Sequence, residues 1–279
     1  MPARGPPLWN PHHVDVCTPA QVEAPTGKDA FAGYHWIEPL KAWLYEIPKS
    51  GSTTLVQLFR TRQRVDDRRR RRPEPDDIAF AVVRDPLCRA ISGFLEAYKR
   101  AAFRTNWSSS PCPFRRFPYL LDNQSSAEVR LGLALRTLAT QGARLAGPAC
   151  GYAYIHMLSQ TYFIWPNRSN LWSEKGRMPR ATRLLKLENL ENELLAFCEE
   201  RGAADFCRAR LRGGLKQLNK QNSAMRCGGG CVSHESRDVV PHEMSRATRH
   251  ALHQYYAADY SCLNYSRHAP PACHVKFTS

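Results

Sequence analysis

The chain has 279 residues, 43% of them hydrophobic, which excludes a disordered tail and suffices for the core of one large domain or two small ones, with one the expectation. Its 40 Lys and Arg against 25 Asp and Glu leave a formal charge of +15, which favours polyanionic partners such as nucleic acid, sulfated or carboxylated glycan, or an acidic membrane face. No apolar run reaches the ~18 residues that span a bilayer, and the N-terminal stretch lacks the charged-then-apolar layout of a secretion signal.

Residues 1–40 are rich in Pro, His and Gly and read as an irregular lead-in to a domain over 41–265, with 266–279 as a C-terminal tail. The aromatic and β-branched run 42–47 predicts a strand, broken by Pro48-Lys49-Ser50-Gly51-Ser52 and followed from Thr53 by helical spacing. After a charged excursion over 68–77, the plan repeats: Ile78 to Val83 predicts a buried strand, Arg84-Asp85-Pro86 the break, and Leu87 to about Arg104 a helix capped by Asp85. Residues 105–126 read as a loop, 127–141 and 152–164 as helices, and 184–187 as a third strand leading into a helix from Asn189 to about Glu200. A basic Cys/Gly-rich stretch over 208–233 precedes a last helix over about 242–258. Strands alternating with helices predict an α/β fold, a mainly parallel sheet flanked by helices.

Ten cysteines, and four Asn-x-Ser sequons at Asn106, Asn123, Asn167 and Asn264 where chance predicts about one, point to a secretory lumen. The missing signal is reconciled with that compartment if an N-terminal anchor is lost from this sequence; membrane attachment is expected only through such an anchor.

A strand, a tight polar turn and a helix start make an anion site, because unpaired N–H groups converge there. Pro48 to Thr54 adds a lysine, a glycine and four hydroxyls, which suits a phosphate-type group, although an ordinary strand-to-helix connection would look similar. It is not a Walker A loop, since the lysine precedes a single glycine. In the second turn, Arg84 ends its strand and Ser92 lies eight residues on, so a guanidinium and a hydroxyl are available to a second phosphate, while a structural cap is the plain alternative. Two such turns on neighbouring strands suit a ligand with phosphates at both ends, such as 3′-phosphoadenosine 5′-phosphosulfate (PAPS).

Ile47 to Leu55 resembles the 5′-phosphosulfate loop of the Golgi carbohydrate sulfotransferases, and Val82 to Phe94 resembles their 3′-phosphate motif. Shorter echoes follow at His156–Gln160, Leu187–Leu190, Leu218–Lys220 and Tyr255–Tyr260. The resemblance covers about 41–265 and implies a P-loop-like sulfotransferase fold that moves a sulfuryl group from PAPS to a carbohydrate hydroxyl without a metal. It implies that Lys49 stabilises the leaving oxygen, that Ser50, Gly51, Ser52, Thr53 and Thr54 hold the 5′-phosphate, and that Arg84 and Ser92 bind the 3′-phosphate. It also implies an anionic glycan or glycoprotein acceptor rather than nucleic acid, in the Golgi lumen or secretory pathway. The segment from Lys49 to Arg84 is shorter than family members usually carry, so the general base is open among Glu96, Asp66, Asp67 and His156. Each has a plain alternative: Glu96 as a helix-surface partner of Arg100, the aspartates as loop charges, and His156 as a core histidine.

Cys227-Gly228-Gly229-Gly230-Cys231 near His234 and His242 matches no common zinc spacing and favours disulfides; Cys198 and Cys207, flanking a helix break, are a candidate pair. The run Arg68–Arg72 reads as a solvated loop or a contact for an acidic glycan, and Glu188 either enters the site or pairs with a structural arginine. Two function classes compete with the sulfotransferase: a kinase-like phosphotransferase, disfavoured by the missing Walker loop, and a non-catalytic binder of heparin-like polyanions. A protein-tyrosine acceptor is a further alternative. Protein made through a secretory pathway should have most of its ten cysteines paired; mass spectrometry under non-reducing conditions that finds eight or more free thiols would contradict the luminal reading.

Overall fold

The computed structural model describes residues 34–59, 74, 76–103, 127–141, 156–164, 181–212 and 244–267. Ala42–Tyr45 and Ile78–Val83 are uncharged runs of apolar residues, the composition of strands covered on both faces, and they form the centre of a four-stranded sheet as β2 and β3. With β1 (Tyr34–Ile37) and β4 (Ala181–Lys186) the order is β1-β2-β3-β4; β1 is antiparallel to β2, and β2, β3 and β4 are parallel. The helices are α1 (Ser52–Leu58), α2 (Pro86–Phe103), α3 (Ala127–Gln141), α4 (Gln160–Ile164), α5 (Leu190–Glu200), α6 (Ala204–Leu211), α7 (Arg246–Tyr255) and α8 (Ala257–Cys262). The fold class is therefore α/β, with a mostly parallel sheet flanked by helices. None of these helices is long and apolar enough to cross a membrane.

The period of two along β3 divides the core. Phe80 and Val82 face Leu55 and Leu58 of α1 and Leu194 and Phe197 of α5. Ala79, Ala81 and Val83 face the other way, onto Trp43, Tyr45, Phe163, Ile164 and Leu263. A further cluster joins α2, α3, α7 and α8 through Phe94, Leu135, Leu252 and Tyr260. This apolar burial anchors the strand ends from which the two polar turns leave.

Several boundaries differ from the sequence expectation. Tyr34–Ile37, inside the supposed irregular lead-in, is a strand; its rings pack on β2, with Trp36 and Trp43 centroids 5.2 Å apart. The predicted third strand begins at Ala181 rather than Leu184, because pairing with β3 carries the polar Thr182 and Arg183 into the sheet, Arg183 pairing with Glu200 at 2.7 Å. Within 156–164 only Gln160–Ile164 is helical, after a turn. The last helix breaks at Tyr256 into α7 and α8, and α6 was not expected. The expected pairing of Cys198 with Cys207 is present and clamps α5 to α6. Cys88 and Cys262 are each in a disulfide as well, and no described cysteine is free. Asp66, Asp67, Arg68–Arg72, Leu218–Lys220, Cys227 and Cys231 lie outside the described residues, as do residues 1–33 and 268–279.

Gly93 lies where α2 passes the turn before α4, and a Cβ there would sit 2.2 Å from the His156 carbonyl oxygen. Gly93→Ala should therefore destabilise the protein in urea denaturation, although Ala in a helix interior ordinarily gains roughly 1 kcal/mol over Gly. A stabilised variant would contradict this contact.

Candidate functional site

Both polar turns leave the C-terminal ends of adjacent parallel strands, the edge at which open α/β sheets bind ligands. In the first turn, after β2, Lys49 has φ 67° and Gly51 φ 79°, both left-handed. Gly51 is needed twice over: a side chain would be strained there, and its Cβ would lie 2.7 Å from Leu187 Cδ1. Lys49 has no such licence. A lysine in this region costs on the order of 1–3 kcal/mol and persists only where its surroundings hold it.

Those surroundings are polar and buried. Arg89 of α2, fully buried, donates from Nε to the Pro48 carbonyl at 3.0 Å and from Nη1 to the Leu158 carbonyl. Its guanidinium lies 5.7 Å from the centroid of Phe163, and burial lowers its pKa from a value so high that the group stays charged. Arg84 Nη1 reaches the Lys49 carbonyl at 3.5 Å, and Ser50 N–H donates to the Ile47 carbonyl at 3.2 Å. Two guanidinium groups thus draw successive loop carbonyls inward.

The second turn is fixed just as closely. Asp85 Oδ1 accepts from the N–H groups of Leu87 at 2.9 Å and Cys88 at 3.0 Å, the expected cap of α2. Burial pushes the Asp85 carboxyl up from its ordinary value, opposed by those two N–H donors. Glu188, just after β4, accepts the Asp85 N–H at 2.7 Å on one oxygen and the Tyr265 hydroxyl at 2.9 Å on the other. Glu188 therefore supports the Arg84–Asp85 backbone. Burial lowers the Arg84 pKa, and the carboxylates of Glu188 and Asp85 offset part of that.

The Gln160 side chain also joins the turns. The Gln160 carboxamide is fully buried; its Oε1 accepts from Ser50 Oγ at 2.9 Å and from Arg84 N–H at 2.8 Å, while its Nε2 donates to the Arg84 carbonyl at 2.7 Å. Asp259 of α8, also fully buried, accepts the N–H of Gln160 at 2.9 Å and of Thr161 at 3.0 Å, and the Ser159 hydroxyl. Each donor in this set meets an acceptor, as burial demands.

The predicted site residues fall into distinct positions. Lys49 Nζ forms an ion pair with Glu96 Oε2 at 2.8 Å, with both side chains mostly buried, so the two meet although 47 residues apart. Ser92 sits one turn before Glu96 on α2. Ser50 and Thr54 are turned into the interior, and Ser50 spends its hydroxyl on Gln160 rather than presenting it outward. The side chains of Ser52 and Thr53 are outside the description. His156 lies against Gly93 with both ring nitrogens shielded from solvent. What the sequence reading did not assign is the supporting role of Arg89, Gln160, Glu188 and Asp259. The signal available for three of them was the short echoes, where a polar residue interrupts an apolar stretch; Arg89 lies inside the second motif.

Compared with protein-family models, with curated proteins and with solved structures, the chain matches none.

Asp259→Ala removes the acceptor of two buried N–H groups and one hydroxyl. It should lower unfolding free energy in urea by at least about 3 kcal/mol, at roughly 1–3 kcal/mol per orphaned donor. A loss below about 1 kcal/mol would show that the network tolerates its absence.

Proposed function

We propose that the protein is a PAPS-dependent sulfotransferase that moves a sulfuryl group to a hydroxyl of a carbohydrate acceptor, a glycan or proteoglycan, in the Golgi lumen or secretory pathway. The observation that carries this reading is a pair of cation-bearing turns, after adjacent parallel strands, held at one spacing through the Gln160 amide. That arrangement suits one ligand bearing two phosphates better than two unrelated anions. Arg84, with Ser92, takes the 3′-phosphate; Lys49 and the backbone from Gly51 to Thr54 take the 5′-phosphosulfate. Ser50 acts from beneath the loop.

In the transfer, the acceptor oxygen forms a bond to sulfur as the bond from sulfur to the 5′-phosphate oxygen breaks, and the electron pair stays on that phosphate oxygen. Lys49 meets the growing charge. The acceptor proton goes to a base, for which this reading favours Glu96, 2.8 Å from Lys49 Nζ. His156 is less suited, since its ring nitrogens are shielded. A formal charge of +15 favours acidic polymers as acceptors.

Adenosine 3′,5′-bisphosphate should raise the melting temperature, AMP much less, and Arg84→Ala should remove most of the difference, a charged hydrogen bond of ~1.5–3 kcal/mol. Equal stabilisation by both nucleotides would remove Arg84 and Ser92 from a 3′-phosphate site. Labelled sulfate should pass from PAPS to a glycan, and Lys49→Ala should lower turnover by ~10² to 10³ with a smaller effect on nucleotide binding, because the leaving charge develops only in the transition state. Full turnover in Lys49→Ala would overturn the assignment of this loop.

A further inference from the structure

Gln160 is held in a way that exceeds what its helix needs. A cap for α4 is already supplied by Asp259, which takes the N–H groups of Gln160 and Thr161. The carboxamide beyond it pairs with both backbone groups of Arg84, the residue after β3, as a neighbouring strand would. It thereby fixes the backbone direction from which the Arg84 guanidinium departs. The same Oε1 also accepts from Ser50, at the centre of the first turn. Only an amide meets these demands: Arg84 N–H and Ser50 Oγ–H need an acceptor, and the Arg84 carbonyl needs a donor. A carboxylate at this position lacks the donor, and an alkyl chain lacks both.

We infer that the Gln160 carboxamide is a positioning residue that sets the spacing of the two anion-binding turns, so that the protein recognises the phosphates of its ligand as a fixed pair. The inference rests on the sulfonucleotide reading above and deepens it. Ser50 is the tether on the first turn: being fully buried, with its hydroxyl directed at Gln160, it acts on the ligand through the amide rather than by contact. Arg84 is the tether on the second. With the spacing preset, the second phosphate binds without a further ordering cost, and the bisphosphate gains over either monophosphate by more than its extra contacts alone. With the tether cut, each turn still receives its own phosphate, but the gain from holding both at once falls.

The test is calorimetric titration of the full chain with adenosine 3′,5′-bisphosphate, 5′-AMP and 3′-AMP. Ser50→Ala cuts the amide's link to the first turn while leaving both amide bonds to Arg84, and the Arg84 bond to the Lys49 carbonyl, in place. It should reduce the preference for the bisphosphate over 5′-AMP about tenfold or more, with each monophosphate shifted by no more than about twofold. Gln160→Met, similar in volume, should reduce the preference at least as far; where it fails to fold, Ser50→Ala decides alone. Folded variants that keep the parent preference, or a Ser50→Ala protein in which bisphosphate and monophosphates weaken by the same factor, would overturn the inference and leave the sulfonucleotide reading standing. A parent protein with no preference for the bisphosphate would overturn that reading, and this inference with it.

Discussion

The two turns at the head of the sheet depend on a primary amide with no access to water. Gln160 Oε1 and Nε2 close three hydrogen bonds to Ser50 and Arg84, and Ser50, fully buried, has no solvent to fall back on if the amide leaves. In a low-dielectric interior such a set acts as a unit, because each unmade bond carries the full desolvation penalty of its group. Asp259 extends the unit to α8, so the helix near the end of the described chain holds a loop more than two hundred residues earlier. The apolar clusters on either side of β3 stabilise the strands but leave the direction of the turns open; these polar bonds supply it.

Arg89 is the second constraint. A buried guanidinium is costly to desolvate, and here it meets backbone carbonyls of Pro48 and Leu158, with no carboxylate in ion-pair range among the described residues. Its positive charge therefore lies beneath the first turn among carbonyl acceptors. Lys49 stands on the same turn in a left-handed conformation, and Arg84 contacts its carbonyl. Three cations gathered at one end of the sheet would repel one another. The carboxylates that temper this are Glu96 on Lys49, Glu188 and Asp85 beside Arg84, and Asp259 near Arg89. An anion arriving between the turns would relieve the same repulsion, which is how the proposed sulfonucleotide reading connects stored strain and charge to ligand binding.

The pairing of Lys49 with Glu96 links the first turn to α2. In the proposed mechanism the lysine moves its charge onto the phosphosulfate as the donor binds, and the carboxylate loses its partner when the acceptor needs a base. The ion pair thus holds both groups in place before any ligand arrives. Glu188 and Tyr265 act at longer reach, fixing the Asp85 N–H and with it the start of α2, from which Ser92 and Glu96 project.

Local sequence determined much of this. Uncharged runs at 42–45 and 78–83 specified the central strands, because only apolar residues can be covered on both faces. Gly51 and the Asp85-Pro86 pair marked the turns, since φ 79° excludes most side chains and a carboxylate ahead of proline starts a helix. Cys198 and Cys207, flanking a helix break, were a candidate pair in the sequence, and the fold brings them into their bond. Short or polar elements were illegible, as with β1 and the first residues of β4, whose strand state comes from pairing with β2 and β3 rather than from composition. The roles of Gln160, Glu188 and Asp259, the burial of Ser50, and the meeting of Lys49 with Glu96 were decided only by tertiary structure. Each depends on hydrogen bonds between segments 47 to 110 residues apart, and no local pattern encodes which distant donor a buried acceptor will meet.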